Sequence, residues 1–236
     1  MSGEIIVFSF TRTGTGLNRN LCEGMQEKGK QCICYAPEKF AENGIEPIPG
    51  NIREIIAGSW GKSTFIFIGA AGIAVRYIAP FVKDKFTDSP VLVMDEKGRY
   101  VIPILSGHVG GAVKTADEIA EMTGAEAIHT TATDVQKKFA VDVFAEKNGL
   151  RITDRQMAKE ISAAVLEGEK IAFCTAYPDC RIEGRLPEEL VLCDEFLETS
   201  TYRYRILVAD RCEAPKKCTG QKSAGLGGTL LLKPVN

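Results

Sequence analysis

The sequence predicts an α/β fold: an N-terminal domain built on a largely parallel sheet, followed by a second, smaller α+β domain. Three observations carry this. Short apolar, β-branched runs alternate with helical patterns over residues 1–135, the signature of βαβ units. Glycine-marked loops follow several of those runs, where a strand hands over to the next element. After Asp134 the texture changes to two helical patterns and then short strands, so the domains are expected at 1–135 and 136–236.

Taken in order, Glu4–Phe10 is a continuous apolar run and reads as a buried strand. A helical pattern covers Leu17–Lys28, and Gln31–Tyr35 is a second strand. Turn residues fill Pro37–Gly50, a short helix covers Ile52–Ala57, and Thr64–Ile68 is β-branched and aromatic strand. A helix carrying Val75, Ile78 and Phe81 follows, with Pro80 placed to shorten or kink it. Val91–Met94 and Arg99–Pro103 flank Asp95-Glu-Lys-Gly98, a hairpin turn by composition. A helix with Ala112, Ala116 and Ile119 stops before Gly124, and Ala127–Thr130 is strand. In the second part, helices are expected at Gln136–Lys147 and Asp154–Glu167. Strands are expected at Lys170–Thr175, Leu190–Cys193, Arg203–Val208 and Thr229–Leu232.

Composition excludes several classes. With 44% hydrophobic and 25% charged residues, the 236-residue chain is ordinary globular protein, neither collagen-like nor low-complexity. A net charge of −2 offers no basic face for nucleic acid. No leader pattern is seen at the start. The longest apolar stretch, Phe65–Val75, is broken by Gly69 and Gly72 and falls well short of the ~20 residues a bilayer needs. A cytoplasmic protein with no membrane or nucleic-acid partner is expected. The eight cysteines show no Cys-x-x-Cys pair and no defensible ligand spacing, so reduced, mostly buried thiols and no bound metal are expected. The 23 glycines, nearly 10% of the chain, exceed the usual value of about 7%.

Two familiar patterns fail. Gly61-Lys-Ser-Thr64 resembles the end of a phosphate-binding loop, but position 56 is Ile and the segment leads into a strand. Gly14-Thr-Gly16 lacks the third glycine of a dinucleotide fingerprint, since position 19 is Arg, and a tight strand-to-helix turn explains it better.

Three loops hold up as a candidate site. Gly69–Arg76 and Ser106-Gly-His-Val-Gly-Gly-Ala112 each follow a strand, as does Thr130-Thr-Ala-Thr-Asp134. In open α/β sheets ligands sit beyond the carboxyl ends of strands. Gly107, Gly110 and Gly111 would let backbone N–H groups approach an anion at a helix start. Thr130, Thr131, Thr133 and Asp134 add hydroxyls and a carboxylate. His108, one of only two histidines and set between glycines, suits acid–base work; a helix-entry residue bonded to backbone is the alternative. Asp134 equally suits a helix cap, and Arg76, Lys83 and Lys85 suit either carboxylate binding or solvent.

These loops, in this order, resemble the cobalt-precorrin-5A hydrolase family of anaerobic cobalamin biosynthesis. The resemblance runs through Gly69–Arg76, Lys85–Pro90, Val93–Gly98, Ile102–Ala112 and Thr130–Val135. It continues more weakly to Phe144, Gly149 and the Thr229-Leu-Leu-Leu-Lys-Pro234 segment. It implies an N-terminal domain followed by a central, linker-like one. It also implies a reaction, hydrolysis of the δ-lactone of a cobalt corrinoid with release of acetaldehyde to give cobalt-precorrin-5B. The substrate brings its own cobalt and many carboxylates, so no further cofactor is implied. On that reading His108, Asp134 and Thr131 are catalytic. Gly69, Gly72, Arg76, Lys85, Ser106, Gly107, Gly110, Gly111, Thr130 and Thr133 bind substrate.

The sequence departs from the family pattern at two places. Val113 stands where the family has Asn, and Thr115-Ala116 where it has Leu-Ala. The family's C-terminal domain would begin after Lys233-Pro234. A separate polypeptide carrying that domain stays open as a partner, as do other pathway enzymes and a homodimer. The alternative function is a non-catalytic corrinoid-binding subunit.

Overall fold

The computed structural model describes residues 3–42, 44–84, 86–175, 182, 185–193, 201–209 and 228–235. They fall into two compact units, divided between His129 and Thr130. The Thr130–Asp134 segment therefore belongs to the second unit.

The first unit is built on a seven-stranded sheet in the order β3-β2-β1-β4-β5-β6-β7. Its elements are β1 Ile5–Ser9, α1 Arg12–Glu27, β2 Cys32–Ala36, β3 Glu46–Pro47, α2 Ile52–Ser59, β4 Thr64–Ile68 and α3 Ala71–Ile78. They continue with β5 Val91–Met94, β6 Tyr100–Leu105, α4 Ala112–Thr123 and β7 Glu126–Ala127. A short 3₁₀ turn lies at Glu38–Phe40. Strands β2, β1, β4 and β5 run parallel, as an alternating strand–helix sequence requires. Every residue of β1 is buried, which is why it reads as a continuous apolar run. Its side chains alternate between two cores. Ile5 and Val7 join Leu21, Met25, Ala116 and Ile119 of α1 and α4 on one face. Ile6 and Phe8 join Ile52, Ile56, Ala74 and Ile78 of α2 and α3 on the other.

Helix α1 begins five residues earlier than the apolar pattern shows. Thr11 caps it, its Oγ1 accepting from Gly14 N at 3.0 Å. Gly14 and Gly16 thus lie inside the helix. A Cβ on Gly14 would sit 3.2 Å from Ile68 Cγ2, so this glycine serves the close approach of α1 to β4. Helix α3 ends at Ile78, two residues before Pro80.

The four-residue turn Asp95–Gly98 reverses the chain, so β6 pairs antiparallel with β5, Val91 opposite Leu105. Asp95 holds this turn, its Oδ1 accepting from Arg99 N at 2.7 Å and Tyr100 N at 2.8 Å. Partial burial pushes its pKa up. Hydrogen bonds from Tyr100, Arg99 and Lys97, aided by the Arg99 charge, outweigh that and hold it below the usual carboxylate value. The stabilisation is therefore present above the unfolded-state pKa and is lost as pH falls through the lower folded value. Asp95→Ala should lower stability at neutral pH, and the gap to wild type should close below about pH 3 in urea unfolding curves. A gap that widens in acid would contradict this sign.

The second unit carries a five-stranded sheet in the order β10-β9-β11-β12-β8. Its elements are α5 Ala132–Val135, α6 Val141–Lys147, β8 Leu150–Ile152, α7 Arg155–Leu166, β9 Ile171–Thr175, β10 Leu190–Leu192, β11 Arg205–Val208 and β12 Thr229–Pro234. Here too β10, β9, β11 and β12 are parallel, with β8 antiparallel at one edge. Of the Gln136–Lys147 helix expected from sequence, only α6 Val141–Lys147 forms, and α5 ends before it at Val135. Lys137 adopts φ +52° between them, and Phe139 and Ala140 are buried. Asp154 caps α7 through Met157 N at 2.9 Å. No helix among the described residues is long and apolar enough to cross a membrane.

Candidate functional site

The antiparallel turn of β6 decides where the glycine loops go. Gly69 follows the carboxyl end of β4, beside Met94, whose carbonyl accepts its N–H at 2.9 Å. Ser106 follows β6 but lies beside the start of β5, where its Oγ donates to the Asp88 carbonyl at 2.9 Å. The two loops therefore lie at opposite ends of the strands, separated by the length of β4, roughly 15 Å. The sequence reading set both beyond carboxyl ends at one end of the sheet, and a short hairpin does not allow that. Gly72 and Arg76 go with Gly69. Both are exposed on α3, and a Cβ on Gly72 would meet nothing within 4 Å. Lys85 lies outside the described residues.

The Ser106 side is braced by hydrogen bonds. Asp88 is 6% exposed, and its carboxylate accepts from Lys83 N at 2.9 Å, Asp84 N at 3.0 Å and Trp60 Nε1 at 3.2 Å. Ser89, fully buried, accepts from Gly61 N at 2.8 Å, so the Gly61-Lys-Ser-Thr segment is a structural turn before β4. Removing the Asp88 carboxylate leaves three donors unsatisfied. Asp88→Ala should cost roughly 1–3 kcal/mol, read from chemical unfolding. A change below a few tenths would remove this brace from the account.

Ser106 sits at φ +52°, an uncommon value for a residue with a side chain. Gly110 folds back against it: a Cβ there would lie 2.6 Å from Ser106 Cβ and 2.8 Å from its carbonyl oxygen. Gly111, at φ +85°, starts α4 without a side-chain cap. The helix-start amides are instead capped by the loop itself. Gly111 N donates to His108 O at 3.1 Å, Ala112 N to Ser106 O at 3.3 Å and Val113 N to Gly107 O at 3.0 Å. The expectation that Gly111 offers its amide to an anion is thus corrected. Of the loop glycines, Gly107 and Gly110 remain as donors, with Val109 between them. His108 is half-buried at the apex of this loop and Val109 is exposed. Val113, where the resemblance expects Asn, lies beside Gly107, its Cγ2 3.3 Å from where a Gly107 Cβ would stand. The other histidine, His129, pairs with Asp117 at 2.9 Å.

In the second unit, Thr131 starts α5, its carbonyl accepting from Asp134 N and Val135 N at 3.0 Å each. Thr130 and Thr131 are exposed, Thr133 is buried and Asp134 half-buried. Asp134 lines an open cavity of about 200 Å³ with Lys138, Lys147 and Arg185 around a floor that includes Phe139 and Phe144. Lys138 also faces Glu189 Oε1 at 3.5 Å. Sequence reasoning missed these three cations. Lys138 and Lys147 are nine positions apart, and only the break in the expected helix brings them to one cavity.

Two family models match the chain. Residues 54–134 match "Cobalamin synthesis G N-terminal" and residues 139–219 match "Cobalamin biosynthesis central region". The chain belongs to the cobalamin synthesis G family. Relatives agree. A cobalt-precorrin-5A hydrolase from Salmonella typhimurium is 35% identical over 193 residues, covering 81% of this chain and 52% of that protein. One from Priestia megaterium is 36% identical over 176 residues, covering 72% and 46%. The chain thus spans about half the length of the curated relatives it matches. Among solved structures, a putative cobalamin biosynthesis protein G homolog from Sulfolobus solfataricus superposes with a TM-score of 0.54 at 20% identity. It covers 99% of this chain and 61% of its own, a likeness of fold. The N-terminal family match spans the Gly69 loop, the Ser106 loop and Thr130–Asp134, the segments that carry the resemblance.

Proposed function

We propose that the chain hydrolyses the δ-lactone of cobalt-precorrin-5A, releasing acetaldehyde and leaving cobalt-precorrin-5B. The observation that carries this is the self-capped Ser106–Gly111 loop, which presents an imidazole between glycines, within a chain whose relatives bear that activity by name. His108 takes a proton from water as its oxygen attacks the lactone carbonyl. The N–H groups of Gly107, Val109 and Gly110 steady the oxyanion. The acyl–oxygen bond breaks, and the alkoxide released collapses to acetaldehyde as its bond to the macrocycle breaks. The ring carbon takes up the proton that His108 took from water. Ser106 positions the substrate in the first unit, and the roles that the resemblance implies for Thr130, Thr131, Thr133 and Asp134 fall on the second unit. Its cobalt comes with it, and the protein contributes no further cofactor to this chemistry.

The substrate's acetate and propionate groups ask for cations. Lys138, Lys147 and Arg185 around their cavity supply them. Replacing Lys147 with Ala should raise KM several-fold and leave kcat nearly unchanged, the pattern of lost uniform binding. A fall in kcat at constant KM would move Lys147 out of that role. Incubating the purified chain with cobalt-precorrin-5A and trapping acetaldehyde tests the function itself. One equivalent of acetaldehyde per substrate supports it. Tight corrinoid binding without turnover would favour the binding-subunit reading.

A further inference from the structure

Cys22 of α1 meets Cys32 and Cys34 of β2 near the opposite side of the sheet from α2 and α3, and the three Sγ atoms lie within 4.8 Å of one another. Cys32 and Cys34, two apart on a strand, share a face. Cys22 and Cys34 are joined by a disulfide. Cys32 Sγ stands 2.9 Å from Cys22 Sγ and 3.9 Å from Cys34 Sγ. The disulfide partners are 4% and 3% exposed, and Cys32 is half-buried. All three precede residue 54, where the first family match begins, and the function proposed above assigns them no role.

We propose that, once the disulfide is reduced, these sulfurs form a three-coordinate thiolate site for a thiophilic d10 cation of the copper(I) class. Sulfurs about 2.3 Å from a common centre in one plane lie roughly 4 Å apart. The Cys32–Cys34 pair already has that spacing. A Cα–Cα distance of 6.8 Å between Cys22 and Cys34 leaves room for their sulfurs to separate to it. Among the described residues no fourth Cys, His or carboxylate joins the group. An all-sulfur set selects soft cations, and three ligands rather than four disfavour the tetrahedral arrangement of structural zinc. The balance is simple. Reduction by an added phosphine supplies two electrons, and two protons convert the disulfide to two thiols. The cation then displaces thiol protons as it binds. Ligation ties α1 to β2 beside Asn18, whose Oδ1 faces Cys22 Sγ at 3.6 Å.

The test uses the full chain, reduced with phosphine and desalted without oxygen. Copper(I) is offered as its bicinchoninate complex, and zinc(II) is offered in parallel. The expected result is uptake of copper(I) with one equivalent lost on Cys32→Ser, a change at the half-buried position, and retained on Cys174→Ser. X-ray absorption should show that equivalent surrounded by three sulfurs. Cys32→Ala, checked by circular dichroism, serves if the serine variant does not fold. Equal uptake by wild type and the folded Cys32 variant would overturn the site, as would no uptake by the reduced chain. Preferential zinc binding with nitrogen or oxygen ligands would overturn the three-coordinate assignment.

Discussion

His108→Ala is expected to slow acetaldehyde release from cobalt-precorrin-5A by about 10²–10⁴-fold, the range for losing a positioned general acid–base group. The start of α4 should stay capped, because its bonds to the loop are made by backbone. The amides of Gly111, Ala112 and Val113 are held by the carbonyls of His108, Ser106 and Gly107, and none involves the imidazole. The alternative reading of His108, a helix-entry residue needed only for structure, makes the opposite forecast: lower stability with nearly normal turnover. Unfolding curves and single-turnover rates on one preparation separate the two. Asp134→Asn extends the test. If His108 and Asp134 serve one reaction, the double variant should lose much less than the product of the single losses. Fully multiplicative losses would place the two residues in independent roles.

Gly110→Ala is expected to damage both stability and activity. The new methyl would sit 2.6 Å from Ser106 Cβ and 2.8 Å from the Ser106 carbonyl, and those atoms belong to backbone or lie next to it. They cannot swing away as a long side chain could. Overpacking of this kind costs about 1–3 kcal/mol. Relief must come from shifting Ser106, which would break its bond to the Asp88 carbonyl and tilt the His108 apex. A displacement near 1 Å at a catalytic group can cost about 10²-fold in rate. Gly72→Ala is the matched control: its Cβ meets nothing within 4 Å, and stability should stay near wild type. Equal behaviour of the two variants would show that the Ser106 turn does not set the loop.

Much of the first unit was legible in the sequence because its signals are local. Thr64–Ile68 and Val91–Met94 are apolar strands buried from end to end or nearly so, and they appear at the expected residues. The error was one of direction. Asp95–Gly98 already read as a hairpin turn, and a hairpin joins only antiparallel strands. Carrying that step through would have placed the Ser106 loop on the side of Asp88 and Trp60, away from Gly69. The start of α1 was missed for a different reason. Arg12–Gly16 has no apolar periodicity, and the helix there rests on the Thr11 cap and on Gly14 packing against Ile68. Nothing in the spacing of Cys22, Cys32 and Cys34 announced a cluster, since α1 and β2 bring them together only through the fold. The same holds for Lys138, Lys147 and Arg185, which converge after the turn at Lys137.

The most direct test of the central claim is turnover of cobalt-precorrin-5A by this chain in ¹⁸O-labelled water, followed by mass analysis of the corrinoid and of trapped acetaldehyde. Attack of water on the lactone carbonyl predicts one ¹⁸O in the new carboxylate, one equivalent of acetaldehyde, and loss of both with His108→Ala. A corrinoid that binds but returns unlabelled and intact, or labelling that His108→Ala leaves unchanged, would contradict it.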